Sequence, residues 1–264
     1  MADSAGRPEW RLIVTEPGPG AANMAVDEAL MESVRAGGSP VLRFYDWAPV
    51  CLSIGYFQEF AAVDASECRR QGIEIVRRLT GGNAILHRES VTYAVVVGTD
   101  AELVAGGVVA SQRRLSAPFA AALRQAGAPV AAAPDSAQPA KGFDCFAEPG
   151  PWELTLKGRK VLGSAQTRRR GVVLQHGSLM LGEANGTHGL AAGANGAGGE
   201  ASPARMLRDY LPDGRKGLAA AIAGQAAAAW SAELREDRLT AAEEERAATL
   251  ARKKYSAPGW TGIR

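Results

Sequence analysis

Apolar and polar positions alternate over short runs through much of the chain, the period of a half-buried strand. Residues 10–15, 41–47, 51–57 and 72–80 read this way. They are bounded by strand-ending residues: the EPGPG run at 16–20, Pro49, and Gly81-Gly82. AILH at 84–87 and SVTYAVVVG at 90–98 read as two arms of a hairpin. The stretch 152–181 alternates through two further turns, Lys157-Gly158 and Arg170-Gly171. Helical spacing takes over in four places. One helix starts at Asn23, a candidate N-cap, and stops at Gly37-Gly38. The others are expected at 61–71, at 101–127 as a pair or one long helix, and from 203 to about 252.

The element order is not the regular alternation of a doubly wound sheet. It predicts an α+β fold, with a mixed or antiparallel β-sheet flanked by helices. No linker divides two sets of core elements, so a single catalytic-size domain over 1–264 is expected. The Pro- and Ala-rich stretch 128–142 reads as a mobile loop, and the glycine-dense stretch 185–200 as a flexible insertion.

Composition narrows the class. With 46% hydrophobic and 22% charged residues, the chain has the makings of a core and is not globally disordered. Thirty basic against 28 acidic residues leave +2, too little to predict nucleic-acid or membrane-surface binding by bulk charge. Local basic clusters do stand out at Arg77-Arg78 and Arg168-Arg169-Arg170. No apolar run reaches the roughly 18–20 residues of a membrane span, and no secretory leader is visible. Cys51, Cys68 and Cys145 include no CxxC pair, and His87, His176 and His188 no HExxH. Neither a disulfide framework nor a metal site is expected, and a reducing cytoplasm is.

Three segments can carry chemistry. In RRLTGGNAILH, 77–87, the paired glycines let backbone approach a ligand and could cradle an anion, with Arg77 and Arg78 adding charge. A plain glycine turn with solvated arginines fits equally, and the GK[ST] ending of a nucleotide-binding P-loop is missing. In GRKVLGSAQTRRRGVVLQHGSLML, 158–181, Lys160 precedes an apolar pair and a Gly163-Ser164-Ala165 turn. It could fix a carbonyl or phosphate oxygen, or be a surface strand lysine. His176, beside Gly177 in an alternating strand, suits a packed residue better than a base. Cys145 ends the 128–142 region, just ahead of the strands that contain Lys160. A thiol needs a nearby cation to act as a nucleophile, which Lys160 could supply; Cys145 could also be structural. Cys51 opens an apolar strand and looks buried, while Cys68 has no accompanying motif.

Together NMAVDEAL (23–30), RRLTGGNAILH, VTYAVVV (91–97), the 158–181 segment and the closing LTAAEEERAATLARKKYSAPGW (239–260) resemble the biotin/lipoate-protein ligase and octanoyltransferase superfamily. DCF around Cys145, then WEL, GRK and GSAQ, are most similar to its cysteine-dependent octanoyltransferases. The resemblance implies that Cys145 takes an octanoyl group from octanoyl-acyl carrier protein as a thioester. A lysine of a lipoyl domain, on glycine-cleavage H protein or a 2-oxoacid dehydrogenase E2, then receives it as an amide. No ATP or other cofactor is implied beyond the carrier's phosphopantetheine. Lys160 matches the lysine of GRK-x-x-GSA, so Cys145 and Lys160 become the candidate catalytic pair, with Lys160 holding the acyl carbonyl and favouring the thiolate. Arg77, Arg78, Thr80, Gly81, Gly82, Asn83, His87, Gly163, Ser164, Ala165, His176 and Gly177 become candidate substrate-binding residues. The two glycine segments would give backbone donors, Val161 and Leu162 would wall an acyl tunnel or be core, and Asn23 and Asp27 would position the helix or rim the pocket.

Two departures bear on the ATP-dependent members. Asn83 stands where their RRxxGGGAVxH pattern has a third glycine, and Arg88 follows His87 where they have Asp. Both weaken an adenylate pocket, and the chain leaves little room for the accessory domain of the larger ligases. Competing readings are octanoyl transfer between two lipoyl domains, ATP-dependent lipoate ligation, and a non-catalytic acyl- or lipoyl-domain-binding protein.

Overall fold

A computed structural model describes residues 7–138, 142–182, 187–192 and 206–264. Most of the 185–200 insertion and residues 139–141 of the 128–142 stretch therefore lie outside the described residues. In chain order the elements are β1 (Glu9–Val14), α1 (Gly20–Arg35), β2 (Val41–Tyr45), β3 (Cys51–Ile54), α2 (Ala65–Arg70), β4 (Glu74–Arg77), β5 (Ile85–His87), β6 (Ser90–Gly98), α3 (Gly107–Gln125), β7 (Val130–Ala132), β8 (Leu154–Leu156), β9 (Arg159–Arg169), β10 (Val172–Met180), α4 (Gly214–Ala229), β11 (Glu233–Asp237) and α5 (Ala241–Leu250). Eight strands form one sheet in the order β11-β1-β2-β6-β10-β9-β8-β7. It is parallel at β11-β1-β2 and antiparallel from there on. A small sheet, β4-β3-β5, lies apart from it. This is the α+β fold with mixed sheets and flanking helices that the pattern predicts.

Alternation along β6 and β10 assigns the two faces of the large sheet. Val91, Tyr93, Val95 and Val97 join Val173 in a core with Leu115, Phe119 and Leu123 of α3 and Leu218 and Ile222 of α4. Ala94, Val96, Val172 and Leu174 point the other way, onto Met24, Ala25 and Leu30 of α1 and Leu250 of α5. His176 and Ser178 continue that second face by the period of two. The Arg170-Gly171 and Lys157-Gly158 turns both have left-handed backbone at each residue, the twist that two-residue hairpins require.

Five expectations need correction. The stretch 128–142 is not all loop: β7 lies within it and pairs with β8 at the edge of the large sheet. β5 pairs with β3 and not with β6, so 84–98 is not a hairpin but a crossing from the small sheet to the large one. α1 starts at Gly20, three residues before Asn23. Asn23 is buried inside the helix, and its amide donates to the carbonyls of Gly18 and Asp46, so it ties the helix to neighbouring chain rather than capping it. The polar-rich run 203–252 is not all helix: β11 adds a parallel edge strand beside β1, with exposed or half-exposed side chains that carry no apolar signal. Gly163-Ser164-Ala165 is no turn but the interior of β9, opposite His176, Gly177 and Ser178.

The glycine loop packs directly onto the end of β3 in the small sheet. A Cβ on Gly55, just after β3, would run into the carbonyl oxygen of Gly82. Gly55→Ala is therefore expected to destabilise the protein by about 1–3 kcal/mol, as overpacking of a closed contact does. Urea denaturation read by tryptophan fluorescence measures it.

Candidate active site

A cleft lies between the α1 face of the large sheet and the loop 78–83. Met24, Tyr45, Trp47, Ile85 and Ala165 give it apolar walls, and Cys145, His87 and His176 reach into it. Its back is a buried polar frame. Asp27, 1% exposed, accepts from Arg43 (2.7 Å) and Tyr45 (3.0 Å) and holds Nδ1 of His176 (2.9 Å). Nε2 of His176 bonds Thr80 Oγ1 at 2.6 Å, so the carboxylate fixes the imidazole and the imidazole fixes the glycine loop. Arg43 also donates to Asn23 and Thr15.

The loop is held from beneath by Arg78. Its guanidinium donates to the carbonyls of Ser53 (2.9 Å), Gly81 (2.8 Å) and Asn83 (2.7 Å). Burial pulls Arg78 down to about 10, which leaves it a cation at neutral pH. Gly82 has φ +86°, which a side chain would strain. Arg77 turns the other way. It donates to carbonyls of Gly55, Gln58 and Thr261, and thus braces the small sheet against the C-terminal segment, away from the cleft. The arginine pair is structural wiring, and neither guanidinium is set out in solvent.

Cys145 reaches the cleft because its strand-like segment pairs with the chain beyond the glycine loop. Ala84 N–H donates to Phe143 O (2.8 Å), and Cys145 N–H to Ala84 O (3.0 Å). Lys160 of β9 arrives from the other side. Its Nζ donates to the Cys145 carbonyl at 2.6 Å and lies 3.6 Å from Cys145 Sγ. Glu153, 5% exposed, anchors that ammonium at 2.5 Å and also accepts from the backbone N–H groups of Gly150 and Ser164. The Ser164 N–H is thus committed to Glu153. Gly163 makes room: a Cβ there would press on Lys160 Cε at 3.1 Å and on the Phe146 ring. Ser164 Oγ pairs with Tyr93 OH at 2.8 Å. Gly177 is likewise enforced, since a Cβ would meet Gly163 O, and Ser164 Oγ at 2.7 Å.

His87 forms the floor. It stacks on Trp47 at 3.9 Å between ring centroids and bonds Ser53 (2.8 Å) and Ser178 (3.2 Å). Burial first, then Arg78 and His176, push its pKa well below the ordinary 6.5, so the ring is neutral. Cys51 and Cys68 are both fully buried, and burial raises both thiols, Cys68 to about 11. Cys145 alone of the three is half-exposed.

Of the residues singled out in the sequence, Cys145, Lys160, Thr80, Gly81, Gly82, Asn83, Arg78, His87, Gly163, Ser164, Ala165, His176 and Gly177 converge on this cleft or its immediate support, and Arg77 does not. Glu153 was not singled out, although the WEL run ahead of Lys160 carries it. Trp47, Tyr45 and Ser178 were also missed; Ser178 was findable as the same-face neighbour of His176. Among the described residues no cluster of three or more His, Cys, Asp or Glu could hold a metal, and no helix is long and apolar enough to cross a membrane.

A half-exposed thiol beside a carboxylate-anchored ammonium, at the mouth of an apolar slot with a neutral floor, has the chemistry to act as a nucleophile on an apolar substrate. The chain belongs to the lipoyl protein ligase A/B catalytic domain family, whose pattern matches residues 19–209. It is 45% identical over 181 residues to the octanoyltransferase LipM of Moorella thermoacetica and 44% identical over 180 to that of Symbiobacterium thermophilum. Each match covers 65% of this chain and 65% of the relative's length. A T. acidophilum protein described as a lipoate protein ligase, solved with bound lipoic acid, superposes with a TM-score of 0.76. It is 26% identical, with 96% of this chain and 99% of that one covered. Lipoate-protein ligase A bound with ATP, at 24% identity, shares the fold with a TM-score of 0.78 over 97% of this chain and 100% of that one.

Two outcomes follow from the burial. Iodoacetamide should modify the native protein once, at Cys145, with Cys51 and Cys68 labelled only after denaturation; peptide mapping reads this. Because the folded state keeps His87 neutral, its contribution to stability is full above pH 6.5 and is lost as pH falls below it. The slope is at most about 1.4 kcal/mol per pH unit. Unfolding free energies measured between pH 7.5 and 5.5 should show a slope that His87→Gln reduces.

Proposed function

We propose that this protein is an octanoyltransferase of protein lipoylation, acting through an S-octanoyl thioester on Cys145. The observation that carries the reading is the Cys145–Lys160–Glu153 group at the mouth of the apolar cleft, in a chain similar to LipM octanoyltransferases over its matched region. The donor is octanoyl-acyl carrier protein. The acceptor is the lysine ε-amino group of a lipoyl domain, and the setting is the cytoplasm.

In the first step the Cys145 thiolate attacks the donor thioester carbonyl. The C–S bond to phosphopantetheine breaks, that thiol leaves, and a new thioester forms. In the second step the neutral amine of the acceptor lysine attacks the acyl-enzyme carbonyl. An amide forms, Cys145 leaves as thiolate, and the proton shed by the nitrogen restores the thiol or passes to water. Thioester exchange is close to isoenergetic and amide formation is downhill, so neither step needs ATP. Lys160, fixed by Glu153, stabilises negative charge on Sγ and then on the carbonyl oxygen of each tetrahedral intermediate. The octanoyl tail runs towards Trp47, His87, Met24 and Ile85. The glycine loop closes over it, set by Arg78 and the Thr80–His176 bond.

Incubation with octanoyl-acyl carrier protein in the absence of ATP should give a hydroxylamine-sensitive octanoyl adduct in the intact mass. The adduct should be absent in Cys145→Ser and present in Cys68→Ser. Lys160→Ala should slow its formation by about 10–100-fold, the worth of a charge-assisted hydrogen bond to the reacting group. No adduct, together with ATP-dependent modification of a lipoyl domain, would overturn the reading in favour of ligation. An adduct from octanoylated H protein but not from carrier protein would move it to transfer between lipoyl domains.

A further inference from the structure

A second concavity, of about 250 Å³, lies further along the elements that build the Cys145 cleft. Met24 of α1 lines the cleft, while Glu28, Met31 and Arg35, on the same helix face, line the concavity. Ala165 of β9 lines the cleft, and Arg169, four residues on along the same strand face, lines the concavity. From Ala165 to Arg169 is about 13 Å of strand, and from Met24 to Met31 about 10 Å of helix. Thr167, half-exposed, lies on the same face of β9 between them.

The charge there is unbalanced. Glu28 is taken by Lys254 (2.7 Å) and the Tyr255 hydroxyl, and Glu32 by Arg246 (2.6 Å). Arg35, Arg169 and Arg170 are exposed; Arg35 has Glu32 near enough to feel its charge, while among the described residues no salt bridge to a carboxylate is formed by Arg169 or Arg170. Arg169 lies over the Tyr56 ring, 4.9 Å from its centroid, which aims the guanidinium without neutralising it. Three guanidinium groups around one bowl suit a phosphate, which accepts forked charge-assisted hydrogen bonds.

We propose that this bowl binds the phosphodiester of the donor's phosphopantetheine arm, with Arg169 and Arg170 as the principal contacts. The inference rests on the acyl-transfer reading above. The span fits: from thioester sulfur to phosphate the arm has as many backbone bonds as about four residues, so it reaches roughly 14 Å extended. That matches the strand length from Ala165, which lines the cleft together with Cys145, to Arg169 in the bowl. Carrier protein and coenzyme A present the same phosphate chemistry on the same arm.

Two measurements test the site. In the first, Cys145 acylation by octanoyl-4′-phosphopantetheine is compared with acylation by octanoyl-pantetheine. The phosphate should raise kcat/KM about tenfold in the wild type, and by less than twofold in Arg169→Gln/Arg170→Gln. The within-protein ratio cancels any general damage to the variant. In the second, calorimetry with unacylated 4′-phosphopantetheine and pantetheine should show the same phosphate-dependent gain, abolished in the variant. Acylation with equal rates for both donors overturns the site and leaves the transferase reading standing. Phosphate-dependent binding without acylation overturns the reading and leaves the site standing. Octanoyl-carrier protein and octanoyl-coenzyme A should both lose rate in the variant, and the faster of them identifies the source. A loss with neither overturns the site.

Discussion

One buried carboxylate organises the site. Asp27 is almost fully removed from water, which would be prohibitive for an isolated charge. It is tolerable because Arg43, Tyr45 and His176 all converge on it. Those partners come from β2 and β10, while Asp27 belongs to α1, so a single charge ties the helix to two strands of the large sheet. Through His176 and Thr80 the same charge reaches the glycine loop, which otherwise belongs to the small sheet. Removing one partner from such a cluster leaves the others buried and unpaired, and this makes the frame all-or-none rather than adjustable. The cleft has fixed dimensions because this network spans its back.

Ahead of that frame lies a second buried pair. Lys160 and Glu153 neutralise each other, so the cleft carries no net charge from them. Yet the geometry leaves the ammonium facing both the carbonyl and the sulfur of Cys145. Glu153 also takes the Ser164 N–H, which locks the carboxylate to β9 itself. The lysine is therefore held by its own strand and does not sweep freely, so on the proposed mechanism little rotamer entropy remains to be lost when charge develops at the thioester.

Legibility in the sequence followed the range of the interactions. Strands with strict alternation, such as β6 and β10, were readable because one face meets α1 and the other meets α3 and α4. Turns with left-handed glycine partners were readable for steric reasons. β11 was not, because an edge strand with an exposed charged pattern, ELRED, has no periodic apolar signal. Nor was the partnering of β5, since a short apolar triplet next to a longer strand suggests a hairpin, and only the long-range pairing of β5 with β3 shows otherwise. Cys145 and Lys160 stood out because motif spacing marked them. Glu153 and the true work of Arg77 and Arg78 did not, because a buried glutamate and a structural arginine look like surface charge until long-range contacts are known. Gly163-Ser164-Ala165 read as a turn for a similar reason: small residues mark tight turns, and they also mark places in a strand where side chains must pass close.

The polarity of the cleft runs in one direction, and this orients whatever it binds. At the Cys145 end are an ammonium, a carboxylate and backbone dipoles. At the other end the stacked Trp47 and His87 rings face Met24 and Ile85. The apolar lining there is Trp47, Met24 and Ile85, and the imidazole adds no charge to it. A protonated His87 would place a charge against an alkyl chain, and burial together with the neighbouring cation of Arg78 prevents it. Arg78 therefore acts twice: it holds the glycine loop by its carbonyls, and it adds charge repulsion to the burial that keeps the floor of the slot neutral. A fatty acyl thioester entering this cleft gains by apolar burial only with its tail on the Trp47 side, and gains electrostatically only with its carbonyl beside Lys160. The two preferences reinforce each other and select a single binding direction.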